Sequence, residues 1–332
     1  MRAAALKPRL GFLGVGWIGR NRLEAVAASE LAEIRVIADA SREQASQAAE
    51  LVPGAVVAED MDEVLDQDVD GVVIATPSAL HAAQAVAALE RGIAVFCQKP
   101  LARTAGEAAA VVSAAKTADR LLAVDMSYRH ADAMRKVREL VRSGEIGEVF
   151  AADLVFHNAY GPDKPWFYDL TLAGGGCVMD LGIHLVDLAL WVLDWPEVTS
   201  VRSGLFAGGK RLPPPATAVE DYAVIELGLD GGRVARLACS WNLHAGADAV
   251  IGAAFHGTRG SAEMRNVGGS FYDFSAARHT RTSSAQLSAP PDGWGGRAAV
   301  AWARRLASTP RFDAEAERLV EVARVIDEVY GR

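Results

Sequence analysis

The residues best able to do chemistry in the second half of the chain follow a glycine-rich entry, Gly174–Gly176, into a predicted helix over Val178–Leu193. This helix carries Asp180, His184 and Asp187. Residues three or four apart lie on one face of an α-helix, so these side chains are expected close together. A carboxylate beside an imidazole can orient it or hold its charge, which would make His184 a general acid–base near neutral pH. The alternatives are an ion pair that serves only the fold, or half of a metal site; no third ligand is evident, so no metal is expected.

A second candidate lies in the run Cys97-Gln98-Lys99-Pro100-Leu101, directly after the apolar segment Ile93–Phe96. Ligands of open α/β sheets bind at the carboxyl ends of the strands, so Lys99 is expected to face a ligand crevice. A lysine after a strand can equally be a solvated surface charge. Gly182, inside the predicted helix, costs about 1 kcal/mol relative to Ala, which indicates close approach by another backbone or a ligand.

The third candidate is a glycine pattern at the end of the first apolar run. Gly14-Val15-Gly16-Trp17-Ile18-Gly19 reads G-x-G-x-x-G and precedes a helix-favouring segment. In a strand–turn–helix, Gly14 makes the tight turn, Gly16 lets backbone amides approach a pyrophosphate, and Gly19 allows close helix–strand packing. Asp39 closes the next apolar run, where a ribose-binding carboxylate is expected. The pattern predicts dinucleotide binding by Gly14, Gly16, Trp17, Ile18, Gly19 and Asp39.

The carboxylate of Asp39 also bears on which dinucleotide binds. It can accept hydrogen bonds from ribose hydroxyls, whereas it would repel a 2′-phosphate by roughly a few kcal/mol at partly buried distances. This favours NAD. Ser41 and Arg42 follow at once and could hold a phosphate, so NADP stays open; the alternative is that Ser41 is a helix N-cap and Arg42 a solvated charge.

Apolar runs and helix-compatible segments alternate over the first 125 residues, which predicts βαβ units in a doubly wound parallel sheet. This dinucleotide-binding Rossmann domain is expected over residues 1–125. The predicted strands are Leu10–Leu13, Ile34–Ala38, Val72–Ala75, Ile93–Phe96 and Leu121–Val124. The predicted helices are Trp17–Ala28, Ser41–Glu50, Ser78–Arg91 and Thr104–Ala118.

Longer strands joined by turns follow a helix over Asp132–Arg142, and they predict an α+β domain over residues 126–312. Its sheet is expected to be open and mainly antiparallel, with helices on one face. The predicted strands are Glu148–His157, Val198–Phe206, Asp221–Leu229, Arg233–Trp241 and Val250–Gly257. Asp230-Gly231-Gly232 predicts a hairpin turn, and the Ser/Gly/Pro-rich segment Thr280–Gly296 a loop. An amphipathic helix in residues 313–332 is expected to pack back on the body.

Composition excludes several classes of protein. The chain has 332 residues, of which 51% are hydrophobic and 23% charged, an ordinary globular balance. A net charge of −8 without a dense Lys/Arg stripe argues against a nucleic-acid partner. No apolar run is expected to span a membrane, and no signal peptide is evident. Three scattered cysteines fit a reducing compartment, so we expect a cytoplasmic protein.

Six features occur in order with suitable gaps, and together they carry a family resemblance. They are the Gly14–Gly19 loop, Asp39, Thr76-Pro77 with His81, Gln98-Lys99-Pro100, Tyr128-Arg129 and Gly174–His184. In this combination the chain resembles, over nearly its full length, the Gfo/Idh/MocA oxidoreductases, the glucose–fructose oxidoreductase and inositol dehydrogenase family.

The resemblance implies a nicotinamide-dependent dehydrogenase that acts on a secondary alcohol or ketone of a sugar or cyclitol. In such proteins the Lys of an E-K-P motif contacts the nicotinamide ribose and the substrate, and the Asp and His of a D-x-G-x-H helix complete the catalytic set. Here these are Lys99, Asp180 and His184, with His184 taking the hydroxyl proton. The resemblance further assigns Thr76, Pro77, His81 and Gln98 to the cofactor. Gln98 departs from the family's usual Glu, and it lacks the charge that would support a protonated Lys99.

Aromatic and polar residues near a strand end or in loops are candidates for a wall around a sugar substrate, because aromatic faces suit the C–H side of a sugar ring. They are Tyr128, Arg129, His157, Asn158, Tyr160, Trp166 and Phe167, together with Asp180 and His184. The alternative for Trp166 and Phe167 is that they fill the core.

Two other functions stay open at this point. One is a redox-neutral enzyme of the same family that uses transient oxidation for elimination or glycoside cleavage; the other is an NAD-binding regulator with a retired active site. An antiparallel sheet covered on one face also predicts a homodimer or homotetramer formed through the other face.

Overall fold

The structure is a computed structural model that describes residues 7–332. The chain folds into two compact units. One comprises the residues up to Ser127 together with Gly295–Ala323, and the other comprises Tyr128–Trp294 together with Arg324–Arg332.

The first unit contains a six-stranded parallel sheet, which confirms the predicted doubly wound fold. Its strands are β1 (Arg9–Leu13), β2 (Glu33–Ala38), β3 (Val56–Val57), β4 (Gly71–Ile74), β5 (Ala94–Cys97) and β6 (Leu122–Val124). Its helices up to this point are α1 (Trp17–Ser29), α2 (Arg42–Ala49), α3 (Met61–Asp66), α4 (Ser78–Glu90) and α5 (Ala105–Ala118).

The strand order is β3-β2-β1-β4-β5-β6, so the direction of winding reverses between β1 and β4. All four residues of β4 and of β5 are buried, because helices cover both faces of a parallel sheet. The loops after these strands start at the same edge of the sheet, which is where such folds bind ligands. This edge carries the glycine loop, the Thr76 loop and Lys99.

The second unit is built on a nine-stranded sheet. Its helices are α6 (Asp132–Arg142), α7 (Leu170–Ala173) and α8 (Ile183–Val192). Its strands are β7 (Val149–Asn158), β8 (Val198–Ala207), β9 (Lys210–Arg211), β10 (Tyr222–Leu229), β11 (Arg233–Ser240), β12 (Ala249–Gly257), β13 (Ser261–Asn266), β14 (Phe274–Thr280) and β15 (Ser283–Ser288). The order is β15-β14-β13-β12-β7-β11-β10-β8-β9, antiparallel throughout except where β7 pairs with β11. This confirms the predicted mainly antiparallel sheet.

The two faces of this sheet differ in burial. Along β7, Leu154 and Phe156 are buried, whereas Asp153 and Val155 point to the other face and are partly exposed. This alternation follows from the two-residue period of a strand. The buried face packs against α6 and α8, so helices lie on one face as predicted.

The segment Leu170–Val192 has the length and composition of a membrane span, with a mean hydropathy of 1.5, although no such run was expected from the sequence. Of its most apolar window, 89% is buried inside the protein. The core helix of a folded domain shows such burial, so the length and composition of this segment are weak evidence for a membrane span.

Strand β15 corrects one expectation, because the sequence predicted a loop over Thr280–Gly296. The strand lies at the edge of the sheet and pairs with β14 across a tight turn. Its residues are mainly short and polar, and most are exposed. It therefore has neither the apolar alternation nor the β-branched residues that mark a strand in a sequence.

Helix α9 (Arg297–Ser308) lies in the first unit, whereas the sequence placed it in a second domain ending at 312. Its Trp302 lies 5.7 Å from the Phe96 ring, centroid to centroid, and belongs to the core of the parallel sheet. A Cβ added to Gly71 would come within 2.7 Å of Trp302, so Gly71 leaves room for the indole. The last helix, α10 (Arg318–Tyr330), follows a 3-10 turn at Ala314–Glu317.

Candidate functional site

The glycine loop has the tight geometry that its sequence predicts. Gly14 has a φ of +87°, and its amide donates to the Ala38 carbonyl at 2.8 Å. A Cβ at Gly14 would come within 2.6 Å of the Ala75 carbonyl carbon, and one at Gly19 would overlap the carbonyl oxygen of Gly14. Only Gly fits at these two positions. At Gly16 the nearest atom to an added Cβ is 3.8 Å away, so this side of the loop is open.

Asp39 fastens the glycine loop to the end of β2. Its Oδ2 accepts a hydrogen bond from the Val15 amide at 2.7 Å, and its Oδ1 accepts one from the Ser41 amide at 2.8 Å. Ser41 is the N-cap of α2 and accepts from the Gln44 amide, and the exposed Arg42 pairs with Glu59 at 3.4 Å. These contacts match the structural roles that the sequence offered as alternatives for Ser41 and Arg42.

The first turn of α1 fits an anionic group. It contains no acidic residue, and Trp17, its first residue, is 73% exposed while Ile18 is half-buried. Unpaired amides at a helix N-terminus attract anions, and Gly16 leaves their approach open. The loop therefore has the charge and the space that a dinucleotide pyrophosphate needs.

The segment that carries Lys99 is held on both sides by buried groups. The main-chain amide of Gln98 donates to the Ile74 carbonyl at 2.8 Å. On the other side, the ring nitrogens of His81 lie 2.7 Å from the carbonyl oxygens of Pro100 and Thr76. Lys99 itself is half-buried.

His81 thus has a different position from the one the resemblance implied. Its imidazole is 1% exposed and both of its nitrogens contact main-chain carbonyls, so it ties the Thr76 loop to the Lys99 segment. Burial lowers the pKa of His81, and the nearby charge of Lys99 acts in the same direction. Thr76 Oγ1 donates to Gln84 at 2.6 Å, and Pro77 precedes α4.

In the second unit, the segment with Asp180 and His184 is not one continuous α-helix. Val178–Gly182 forms a π-helical turn, and α8 begins at Ile183. A π turn contains an extra residue, so the four-residue spacing of Asp180 and His184 does not set their relative direction as it would in an α-helix. Such turns often occur at functional sites.

Gly182 lies in this π turn because a side chain approaches it. A Cβ at Gly182 would lie 3.2 Å from the Cys239 sulfur on β11. The close approach that the sequence predicted is therefore present, and the nearest protein neighbour is a side chain from the sheet and not a backbone atom.

His184 lies in an aromatic setting. It is 6% exposed, and the Tyr128 ring packs edge-on against it with centroids 4.9 Å apart. The Phe156 ring is 6.5 Å away on the sheet side. The structure thus brings together His184 and Tyr128, two of the residues that the sequence singled out.

Asp180 has a partner that the sequence did not single out. The indole nitrogen of Trp241 donates to its Oδ2 at 3.1 Å. The rings of Phe167 and Tyr168 lie 6.3 and 5.7 Å from that of Trp241, and Trp166 stacks on Phe167 at 3.8 Å. An aromatic group therefore adjoins Asp180, and that Trp166 and Phe167 line a substrate wall stays a prediction.

Three of the predicted substrate residues lie elsewhere in the unit. Arg129 forms an ion pair with the buried Asp187 and lies between the rings of Trp191 and Trp195. His157 points to the sheet face opposite Phe156, where it stacks on Tyr222 at 6.0 Å and contacts Ser240. Tyr160 is 51% exposed, with Phe271 as its ring neighbour.

The entry to the π turn is held by a buried carboxylate that sequence reasoning missed. Glu220 is fully buried, and its side chain accepts hydrogen bonds from the amides of Gly176 at 3.0 Å and Val178 at 2.8 Å, and from the Tyr330 hydroxyl at 2.8 Å. Its carbonyl accepts from the Cys177 amide at 3.0 Å. A single residue therefore satisfies three successive amides at the start of this turn.

A further missed cluster lies in the first unit. Arg22 and Gln98 both donate to the carboxylate of Asp125, and all three residues are buried. Neither Asp125 nor Glu220 belongs to a local motif, because their partners are far away in sequence. The one available signal was the charge itself, since a carboxylate within apolar sequence is rarely buried without partners. Among residues 7–332, no group of three or more His, Cys, Asp and Glu is placed to hold a metal ion.

The buried position of Glu220 predicts how the stability of the chain depends on pH. Burial raises the pKa of Glu220 above its ordinary value of 4.5, so the folded chain holds this proton more tightly than the unfolded chain. Its contribution to stability is therefore complete below that value and is lost as the pH rises through the raised pKa. Glu220→Gln, which has no proton to lose, should show a smaller decline in the free energy of unfolding between about pH 5 and pH 8. Denaturant unfolding at several pH values measures this.

Glu148→Gln is the matched control, because Glu148 lies in the same unit and is exposed. Its unfolding curve should follow that of the unsubstituted chain at every pH. Parallel pH profiles for Glu220→Gln and the unsubstituted chain would contradict the prediction.

A model of an oxidoreductase family with an NAD-binding Rossmann fold matches residues 8–126, and a model of the GFO/IDH/MocA C-terminal domain matches residues 134–263. The chain is 32% identical over 263 residues to a 1,5-anhydro-D-fructose reductase from Ensifer adhaerens, which covers 78% of this chain and 76% of the relative. It is 30% identical to a D-glucoside 3-dehydrogenase from Escherichia coli K12, over 74% of this chain and 70% of the relative.

Solved structures support the fold. An oxidoreductase domain protein from Kribbella flavida has a TM-score of 0.83 at 23% identity, with 98% of this chain and 97% of that chain covered. A levoglucosan dehydrogenase in complex with NADH has a TM-score of 0.80 at 23% identity, with 97% and 96% covered. The sequence matches and the shared architecture agree, and the chain belongs to the Gfo/Idh/MocA family of NAD-binding oxidoreductases.

Proposed function

We propose that this protein is an NAD-dependent dehydrogenase or reductase that interconverts a secondary alcohol and a ketone on a sugar or cyclitol. The observation that carries the proposal is the glycine loop, in which Asp39 holds the Val15 amide and only Gly fits at positions 14 and 19. The names of the relatives support the substrate class, since they include reductases and dehydrogenases of sugars and inositol.

The aromatic group beside Asp180 also favours a sugar or cyclitol. Trp166 and Phe167 are half-buried and offer ring surface that suits the C–H side of a sugar ring. The Asp180 carboxylate, held by the buried Trp241, can accept a hydroxyl hydrogen bond. This combination of apolar faces and one fixed acceptor is typical of sites that bind polyols.

Three residues are proposed to form the catalytic set. NAD supplies the hydride acceptor when bound. Lys99 donates a hydrogen bond to the reacting oxygen, Asp180 orients a substrate hydroxyl, and His184 takes the hydroxyl proton during oxidation and returns it during reduction. His184 is 6% exposed and packs against Tyr128 and Phe156. This limits protonation of His184 by bulk water in competition with the substrate hydroxyl.

Substitution of His184 tests the acid–base role. His184→Asn should lower turnover by about 10²–10⁴-fold, the usual contribution of a positioned general base, while the affinity for NAD stays unchanged. Steady-state rates with a panel of sugars and cyclitols and calorimetry with NAD measure the two quantities. His256→Asn is the control, because His256 contacts Ser261 and Asp153 in the sheet. A loss of only a few-fold would remove the proposed role.

The same assay separates the redox-neutral alternative. A dehydrogenase changes the absorbance of the reduced nicotinamide band in proportion to product. Product formed from a glycoside or polyol without net NADH would instead favour elimination or glycoside cleavage through transient oxidation.

Asp39 is proposed to set a preference for NAD over NADP. Both of its oxygens are held by backbone amides, so the carboxylate stays fixed at the end of β2 and would repel a 2′-phosphate. Asp39→Asn should raise the ratio of kcat/KM for NADP to that for NAD about tenfold, equivalent to about 1.4 kcal/mol. Kinetics with both cofactors check this, with Asp66→Asn, an exposed substitution in the same unit, as the control. An unchanged ratio would show that Asp39 does not select the cofactor.

The uncovered face of the nine-stranded sheet is proposed to pair with a second copy of the chain. A groove of about 600 Å³ runs across it, with Asp153, Val155 and Val224 among its lining residues. Exposed Arg236–Asp153 and Arg202–Glu226 pairs give it both charges, which suits a symmetric partner. Light scattering of the purified chain should give the mass of a dimer or tetramer; a monomer at micromolar concentration would contradict this.

A cytoplasmic location stays a prediction.

A further inference from the structure

Three side chains that are far apart in sequence form a buried polar network beneath the Lys99 segment. Asp125, which follows β6, is 1% exposed, and Arg22 and Gln98 are 5% and 6% exposed. The Arg22 guanidinium donates to Asp125 Oδ2 at 2.6 Å, and the Gln98 side-chain amide donates to the same oxygen. The Asp125 amide donates to the Cys97 carbonyl at 2.9 Å, so main chain and side chain both tie β6 to β5.

The network connects two parts of the cofactor-binding unit. Arg22 lies in the second turn of α1, the helix that begins at the glycine loop. Gln98 directly precedes Lys99. Through Asp125, the helix that begins at the glycine loop is therefore joined to the residue proposed to hold the substrate oxygen.

Counting donors and acceptors shows why residue 98 matters. Asp125 Oδ2 receives two donors, whereas Asp125 Oδ1 is buried without a hydrogen-bond partner among the described residues. The network is thus short of donors. Gln98 supplies one through its side-chain NH₂, and a carboxylate at position 98 would remove that donor and add acceptors.

The balance of charges also favours Gln over Glu at position 98. Arg22 and Asp125 carry one charge of each sign, and Gln98 adds none. The groups that face Asp125 are Arg22 from α1, and Gln98 and the Cys97 thiol at the end of β5. Lys99 follows Gln98 directly in the chain. A second buried carboxylate would leave two negative charges for one guanidinium.

We propose that Asp125 is a positioning residue for Lys99, held by Arg22, and that residue 98 is Gln because it must donate a hydrogen bond to this buried carboxylate. The negative charge under the Lys99 segment is thereby placed on Asp125, directly after β6, and kept off the segment itself. The proposal rests on the proposed function only in taking Lys99 as a residue that contacts cofactor or substrate.

A pair of substitutions that exchanges donor and acceptor tests this in the full-length chain. Gln98→Glu places two carboxylates at hydrogen-bond distance, so one of them keeps a proton at low pH and loses it as the pH rises. We expect NAD affinity in this variant to be within about threefold of the unsubstituted chain near pH 5.5 and to fall at least tenfold by about pH 8.5. In the double variant Gln98→Glu with Asp125→Asn, the new amide donates to the new carboxylate, and affinity should return to within about threefold at every pH.

Calorimetric titration with NAD across this pH range measures the affinity, and thermal unfolding without NAD measures the fold. Gln47→Glu is the matched control, because the exposed Gln47 side-chain amide also donates to a carboxylate, that of Glu43. It should change NAD affinity less than about twofold at any pH, since exposed charges interact weakly.

Two results would overturn the proposal. In one, Gln98→Glu shows the same flat pH profile as Gln47→Glu; in the other, the double variant binds NAD no better than Gln98→Glu. Failure of the proposed function is a different result, because the unsubstituted chain would then bind no NAD. The thermal midpoints still test the network in that case. They should fall as the pH rises for Gln98→Glu and recover in the double variant, and unchanged midpoints would overturn the proposal.

Discussion

A main-chain amide or carbonyl in a loop lacks the partner that a helix or strand supplies, and leaving it buried without one costs about 1–3 kcal/mol. In this chain, buried or half-buried side chains supply that partner at the loops that carry polar residues. Asp39 holds the glycine loop, His81 holds the segment of Lys99, and Glu220 holds the entry to the turn of Asp180. Asp39 and Glu220 each accept hydrogen bonds from two or more main-chain amides, and each ring nitrogen of His81 lies 2.7 Å from a main-chain carbonyl oxygen.

This arrangement has an energetic basis. A buried carboxylate or imidazole is costly alone, and an unpaired loop amide is costly alone, but each removes the cost of the other when they meet. Because Glu220 has the Gly176 and Val178 amides as partners, it fixes their direction as well as its own. Loops that must present polar groups in one geometry can therefore be rigid without regular secondary structure.

The sequence predicted the parts of this protein whose signals are local. The glycine loop, Asp39 and the alternation of strands and helices all depend on residues within about twenty positions of one another. The partners of Asp125 and Glu220 do not. Asp125 meets Arg22 across 103 residues, and Glu220 meets Val178 across 42, so no spacing rule could pair them.

Other differences arise where the local sequence lacks the context that decides the structure. Helix α9 has no counterpart among the predicted elements, and nothing in its own residues shows that Trp302 fits the space left by Gly71. The π turn at Val178–Gly182 has the composition of an α-helix, and the Cys239 side chain that lies against Gly182 comes from a distant strand. In both cases the deciding contact is tertiary.

Gln98 shows how a tertiary contact changes the interpretation of a residue. From the sequence alone, Gln in place of the family's usual Glu is a loss of charge beside Lys99. In the structure, a carboxylate is still present at this edge of the sheet, since Asp125 lies against Gln98 with Arg22 as its counter-charge. The electrostatic feature is thus carried by three residues, one on α1, one directly after β5 and one directly after β6. A residue that removes a charge from a site is better interpreted together with its spatial neighbours, because they show where the charge is now held.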